Sequence, residues 1–363
     1  MRLGIDLRMY RMAGIGRYLR NLLPGLLQHL NVANISILGD ANDLAGEEWI
    51  GDPRIRIEDF RPPIFSLAEQ CSPIVGRFRR IDLLWTPQYN FPLLYHGKLV
   101  VTIHDLCQVA HPETLGSDLQ RRYAKFLLSK AVRRAAAVLC VSEFTASEAR
   151  KYLEVDSDRI VVTYPPVGRL SRPSLESAKG SSHSYFLTVG NLKKHKNLPR
   201  LIAAFNSIRD LVPHDLLIVG NREGFRNSET ELAIDFTKCD GRIRFTGYVT
   251  DKELEAYYRN AIALVFPSYY EGFGYPLVEA MAEGCPILCS NVASLPEVAG
   301  DAALFFNPFA VEDIANAMVK IASDDSARAS LILRGKRRVN RFLGDSCAQV
   351  TANTINRVLG NRS

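Results

Sequence analysis

The sequence predicts an α/β protein built from two doubly wound, parallel-sheet domains of Rossmann type. Three observations carry that expectation. Short apolar runs alternate with longer helical patterns along the whole chain. Most of the runs are near-continuous Val, Ile, Leu and Phe, the mark of parallel strands covered on both faces. One stretch without periodicity, Pro165–Ser184, divides the pattern in two. Its wealth of Pro, Ser and Gly reads as a linker between domains.

The first half holds strand candidates at Arg2–Leu7, Ile35–Gly39, Ile55–Phe60, Ile81–Pro87, Lys98–Asp105, Ala136–Ser142 and Ile160–Val167. The second holds them at Tyr185–Asn191, Asp215–Asn221, Ile243–Val249, Ala261–Ser268, Cys285–Asn291 and Ala302–Pro308. Parallel neighbours need a crossover, and the helical patterns between the runs supply one. Residues 309–343 read as helical, with a basic run at Arg334–Arg338, and Phe342–Leu359 reads as a last helix. The expected division is 1–168 for the first domain and 184–340 for the second. Residues 341–363 form a helix crossing back to the first. Open α/β sheets bind ligands beyond the carboxyl ends of their strands, so chemistry is sought in a cleft where two such edges face each other.

Composition narrows the function classes. A chain of 363 residues favours two domains. With 47% apolar and 23% charged residues, each half can bury a core and disorder is excluded. The net charge of +6 divides evenly between the halves, so no basic stripe marks a nucleic-acid binder. An anionic small substrate or an acidic lipid surface fits as well. Seven cysteines, an odd number without a CxxC pair, read as reduced buried thiols of a cytoplasmic protein. No secretory signal is recognised, and no apolar run approaches the ~18 residues of a membrane span. Any membrane contact is expected to be peripheral and on the cytoplasmic side.

Four segments carry chemistry, each just after a strand. In the first, Pro267–Pro286, a glycine-rich turn opens a helix near Tyr275, with Pro276 early in it, where its missing N–H is harmless. Backbone N–H groups around Phe273, Gly274, Tyr275 and Leu277, with the helix dipole, suit a phosphate. Glu271 stands before the turn. Glu279 stands one turn into the helix, where a carboxylate can accept hydrogen bonds from a ribose diol. The second segment is Gly190–Asn197, with Lys193, Lys194 and Lys196. Cations at a helix start oppose the dipole, and become sensible around an anion such as a diphosphate leaving group. The third is His104–Asp105, where a histidine at a strand end can bond a sugar hydroxyl and Asp105 can cap the following turn. The fourth is the loop Met12–Tyr18, where Gly14 and Gly16 let backbone N–H groups approach a ligand. Leu19 stands where a dinucleotide fingerprint needs its third small residue.

Two further signals are read as structural. Asp156-Ser-Asp158 matches a DxD metal pattern but precedes a strand, so it is taken as a turn, and no metal or other cofactor is expected. The helix Leu119–Arg134 is basic and partly amphipathic. A solvated face is its ordinary explanation, and an anionic lipid surface or lipid-linked pyrophosphate its functional one.

The paired glutamates of EGFGYPLVE, with their continuation AMAEGCPILCSNVASLPEVAGDAALFFNP, resemble retaining glycosyltransferases of family 4, which have the GT-B fold. VGNLKKHKNLPRLIAAF, IRFTGYVTDKEL and VTIHDL are similar to the same family, in order over nearly the whole chain. The resemblance implies that Glu271 contacts the transferred sugar, Glu279 the donor ribose and Lys196 the diphosphate. Many relatives place an arginine where this chain has Asn191 or His195, which leaves the second cation open between Lys194 and His195. His104 would position sugar, the loop with Gly14 and Gly16 would close over donor phosphates and acceptor, and Tyr248 would stack near the base. The segment is most similar to mannosyltransferases of cell-surface polysaccharide assembly. That implies a nucleotide-sugar donor, GDP-mannose first, and a glycan or lipid-linked saccharide acceptor. Rhamnosyl, glucosyl and N-acetylglucosaminyl transfer stay open. So do a non-catalytic nucleotide-sugar or glycan binder and an NAD(P)-dependent oxidoreductase on similar sheets.

Overall fold

The computed structural model describes residues 1–12, 14–64, 66–71, 80–111, 118–168, 184–190, 193–220 and 241–360. Asn191, Cys239 and most of the expected linker therefore lie outside the described residues. The chain divides into two compact units, Met1–Gly168 with Leu343–Ser363, and Arg169–Phe342.

The first unit runs β1 (Arg2–Asp6), α1 (Ile15–His29), β2 (Asn34–Gly39), α2 (Ala41–Leu44), β3 (Ile55–Asp59), α3 (Leu67–Cys71), β4 (Leu83–Thr86) and β5 (Lys98–Ile103). It continues with α4 (Cys107–Ala110), α5 (Asp118–Arg134), β6 (Ala137–Cys140), α6 (Glu143–Leu153) and β7 (Ile160–Val162). Its seven strands are parallel, in the order β3-β2-β1-β4-β5-β6-β7. The second unit runs β8 (Tyr185–Val189), α7 (Leu198–Ile208), β9 (Asp215–Val219), β10 (Ile243–Gly247), α8 (Asp251–Asn260), β11 (Ala261–Phe266) and α9 (Tyr275–Ala282). Then come β12 (Ile287–Ser290), α10 (Leu295–Ala299), β13 (Ala303–Phe306), α11 (Val311–Ser323) and α12 (Asp325–Arg338). Its sheet is parallel, in the order β10-β9-β8-β11-β12-β13. Each apolar run named above contains a strand, in most cases shorter than the run. The run expected from Cys285 begins only at Ile287, because Pro286 has no N–H for the ladder.

The orders explain where sites can form. In the first unit the chain leaves β1 toward β2 and β3 on one side, and then builds β4 to β7 on the other. In the second it leaves β8 toward β9 and β10, then turns back to β11, β12 and β13. Loops diverge at these reversals, so a crevice opens beyond β1 and β4, and another beyond β8 and β11.

Helix α1 buries Tyr18, Leu19, Leu22, Leu23, Leu26 and Leu27 along one face. Each fully buried leucine there contributes ~1.5–3 kcal/mol. The last helix, α13 (Asp345–Leu359), completes the first unit by packing on α1 with Ala348, Ala352 and Ile355 buried. A Cβ on Gly25 would stand 3.0 Å from the Ala348 Cβ, so the two helices cross at small residues. Asn356 bonds both the His29 carbonyl and the Asn31 N–H, each at 3.0 Å, and secures the end of α1. Cys140, Cys285, Cys289 and Cys347 are buried and in no disulfide among the described residues, and burial pushes Cys140 and Cys285 up to about 12.

Candidate active site

The crevice beyond β8 and β11 gathers the residues of the two long motifs. After β8 the chain passes Gly190, whose φ of 152° lies at the margin of the region glycine favours. A short 3₁₀ turn, Lys194–Lys196, follows and leads through Asn197 into α7. Asn197 takes the left-handed conformation at φ 59° and is 2% exposed. Its amide donates to the carbonyls of Pro267 at 3.1 Å and Pro308 at 2.7 Å. One side chain thereby ties the β8 loop to those after β11 and β13. The Tyr269 N–H adds a bond of 2.9 Å to the His195 carbonyl.

This stitching brings Lys196 to Glu271. Lys196 Nζ donates to Glu271 Oε1 at 2.5 Å, with side chains 18% and 14% exposed. The ammonium also stands 5.3 Å from the Phe266 ring centre, within cation–π range. Thr188, Gly190, Lys196, Phe266 and Ser268 line one small pocket there. A Cβ on Gly190 would fall 3.5 Å from Lys196 Cε, so the lysine stem lies over that glycine.

Gly274 begins α9 at φ 96°, and a Cβ there would come within 2.8 Å of Leu295 Cδ2. Glycine is thus required both by conformation and by space. The buried Ser294 hydroxyl bonds the carbonyls of Glu271 at 2.9 Å and Phe273 at 3.0 Å, holding the turn in shape. Glu279, one turn into α9, accepts from the Tyr258 hydroxyl at 2.8 Å. One expectation for this turn is corrected. The Leu277 N–H closes the first turn onto the Gly274 carbonyl at 3.0 Å, so it does not await a ligand. The Phe273 side chain is core, packed edge-on against Tyr275 and Phe342. The aromatic ring serves the fold, while the expectation at Phe273 concerned its backbone N–H.

Lys194 is exposed on the 3₁₀ turn, and Tyr248 is 87% exposed after Gly247 at the end of β10. Asn191 lies outside the described residues. Asp156 pairs with Arg159 at 3.1 Å around a 3₁₀ turn, Ser157–Arg159. Among the described residues no cluster of three or more metal-ligating side chains occurs, and no helix is long and apolar enough to cross a membrane.

His104 and the glycine loop belong to the first unit. His104 follows β5, and its Nε2 lies 2.8 Å from the Pro87 carbonyl. A carbonyl can only accept, so Nε2 carries the proton and Nδ1 keeps the lone pair. Burial lowers the His104 pKa, against the opposing pull of the Pro87 bond and Asp105, and the ring stays neutral. Tyr18 of α1 meets it edge-on at 4.9 Å. Asp105 accepts from the Cys107 N–H at 3.0 Å, a turn two residues long that leads into α4. Gly14 starts α1 at φ 68° with open space around it. Gly16 is different: a Cβ there would stand 2.5 Å from the Tyr10 carbonyl oxygen. Its lack of a side chain is required by packing against its own loop.

Sequence reasoning missed Asn197, Ser294 and Tyr258. Asn197 and Ser294 each precede a Leu-Pro that starts a helix, which was the available signal.

The family model described as Glycosyltransferase Family 4 matches residues 12–168, and that described as Glycosyl transferases group 1 matches residues 175–338. An O-antigen chain mannosyltransferase B of Escherichia coli is 32% identical over 367 residues, covering 95% of this chain and 96% of that protein. The O-antigen chain mannosyltransferase RfbU of Salmonella typhimurium is 31% identical over 282 residues, 78% of this chain and 75% of that one. In structure, the chain is similar to a sucrose-phosphate synthase from Thermosynechococcus elongatus at a TM-score of 0.77. That likeness covers 99% of both chains at 20% identity, and shows a shared fold.

Proposed function

The chain belongs to glycosyltransferase family 4 and is a glycosyltransferase, and on that footing we propose that it transfers mannose from GDP-mannose, with retention, onto a saccharide acceptor in cell-surface polysaccharide assembly. The choice of mannose follows the two O-antigen mannosyltransferases it is similar to over most of its length. The observation that carries the site is the Lys196–Glu271 pair at 2.5 Å, beside the start of α9.

Lys196 has three N–H donors and gives one to Glu271, which leaves two for a diphosphate. Fixed positive charge beside the leaving group stabilises the negative charge that grows as the glycosidic bond breaks. The dipole at the start of α9 adds to it. No metal is needed for this charge stabilisation. Glu271 faces the transferred sugar, and Glu279 accepts from the ribose, with Tyr258 orienting its carboxylate. Lys194 is the second cation, and Tyr248 stacks on the base. Retention places the acceptor hydroxyl on the face the diphosphate leaves, with a donor phosphate oxygen taking its proton. His104, neutral, accepts a sugar hydroxyl at Nδ1. Peripheral contact with the cytoplasmic membrane falls to α5, where Lys130 flanks the half-exposed Phe126; flotation with anionic vesicles tests it.

The test of the donor is thermal unfolding with GDP-mannose, UDP-glucose, UDP-N-acetylglucosamine, dTDP-rhamnose and NAD(P). At 100 times its dissociation constant, GDP-mannose adds ~2.7 kcal/mol of stability. A response to NAD(P) alone overturns the reading.

A further inference from the structure

The chain passes between the two units twice, after Gly168 and after Phe342. On the first unit's side the two passages are laced together, for Val167 and Leu343 form a parallel bridge. On the second unit's side the later passage is anchored by the last residue before it. Phe342 follows a 3₁₀ turn, Val339–Arg341, and its N–H donates to the Val339 carbonyl at 2.8 Å. Its side chain is fully buried.

That anchor is set in the turn of the candidate site. The Phe342 ring meets Phe273 edge-on at 5.5 Å, and Phe273 meets Tyr275 in the same manner at 5.6 Å. Phe273, Gly274 and Tyr275 are the residues whose backbone N–H groups suit a phosphate at the start of α9. Arg338 steadies the contact. Its guanidinium lies 6.0 Å from the Phe342 ring centre and donates to the carbonyls of Glu297 at 2.5 Å and Val298 at 3.1 Å. A Cβ on Gly300 would stand 3.0 Å from Arg338 Cζ, so glycine there makes room for the guanidinium.

A phenylalanine offers a diphosphate no donor, so Phe342 can act on one only through Phe273. Close-packed rings shift between discrete arrangements and have little continuous give. A change at the passage therefore reaches the turn, and a change at the turn reaches the passage. We infer that Phe342 is a positioning residue for the donor diphosphate, and that it couples diphosphate binding to the ordering of the passage at Phe342–Leu343. This rests on the transferase reading of the turn. Such coupling is reciprocal: a diphosphate that fixes the turn steadies the passage, and a loosened passage weakens the diphosphate by the same factor.

The test is hydrogen exchange of the full chain, free and saturated with GDP or, separately, with UDP, alongside calorimetry of the same nucleotides. A bound nucleotide should slow exchange at the Phe342 and Leu343 amides about fivefold or more. Phe342→Leu keeps an apolar side chain and removes the ring. It should weaken the nucleotide about fivefold and abolish the slowing. Phe273→Leu should do the same, and the double variant should be little worse than either, since both remove one contact. A merely structural Phe342 would lower the melting temperature of its variant and leave nucleotide affinity and the slowing unchanged; that result overturns the inference. So does a nucleotide-bound wild type whose two amides exchange as in the free protein, a result that leaves the transferase reading standing. A chain that binds neither GDP nor UDP removes that reading and the inference with it. The wild-type amides decide the matter even if the variants do not fold.

Discussion

At the residue scale, Lys196 and Glu271 occupy positions 75 apart in the chain, and Lys196 Nζ donates a hydrogen bond to Glu271 Oε1 at 2.5 Å. Their half-buried setting strengthens the pairing over that of a surface pair. The two are expected to fail differently when changed. Glu271→Gln removes the charge facing the transferred sugar, and transfer should fall by about 10²-fold or more with donor affinity largely kept. Lys196→Ala removes the diphosphate's cation, and donor affinity should fall first. Steady-state kinetics with calorimetry of donor binding separates them, and wild-type values in both would remove the site. Both stood in strand-end motifs in the sequence and took their expected roles from the family resemblance, but that they meet as a pair was not legible. Nor was Asn197. Its worth depends on a carbonyl at Pro308, 111 residues away, and no local pattern announces such a partner. Gly16 was legible as special, but its packing against the Tyr10 carbonyl of its own loop was not.

At the scale of elements, the apolar runs declared the strands because both faces of each sheet are covered. What they could not declare was strand order, which decides where the crevices open. Order depends on which runs pair, and parallel pairing leaves no turn signature. The β8 loop shows how an element is positioned by a few polar bonds. Asn197→Ala would leave the Pro267 and Pro308 carbonyls without their donor and force alanine into left-handed backbone. Unsatisfied buried carbonyls and the conformational penalty together amount to ~2–4 kcal/mol. Asn197→Gly keeps the backbone region and should cost less. Urea unfolding of both variants checks the order, and equal stabilities would show that the backbone conformation matters little.

At the scale of the whole molecule, the unit boundaries put α13 with the first sheet even though it closes the chain. Two histidines, one in each unit, tie stability to pH. Burial lowers the pKa of both His104 and His214, with Arg328 and Arg242 adding to burial at His214. An unfolded histidine takes its proton near its ordinary value of 6.5, before either folded one does. Their contribution is therefore complete above that pH, and is lost as pH falls through the folded values. Melting temperature should fall as pH is lowered below about 6.5, and His214→Asn should flatten part of that slope. A slope unchanged in that variant would show that His214 has no part in it.

The most direct test of the account follows GDP-mannose by NMR as the protein, wild type and Glu271→Gln, is offered a series of α-mannosyl glycosides. The account predicts a new α-linked mannose with the wild type, and an intact donor with the variant. A β-linked product, or a donor that the wild type leaves untouched across the series, would contradict it.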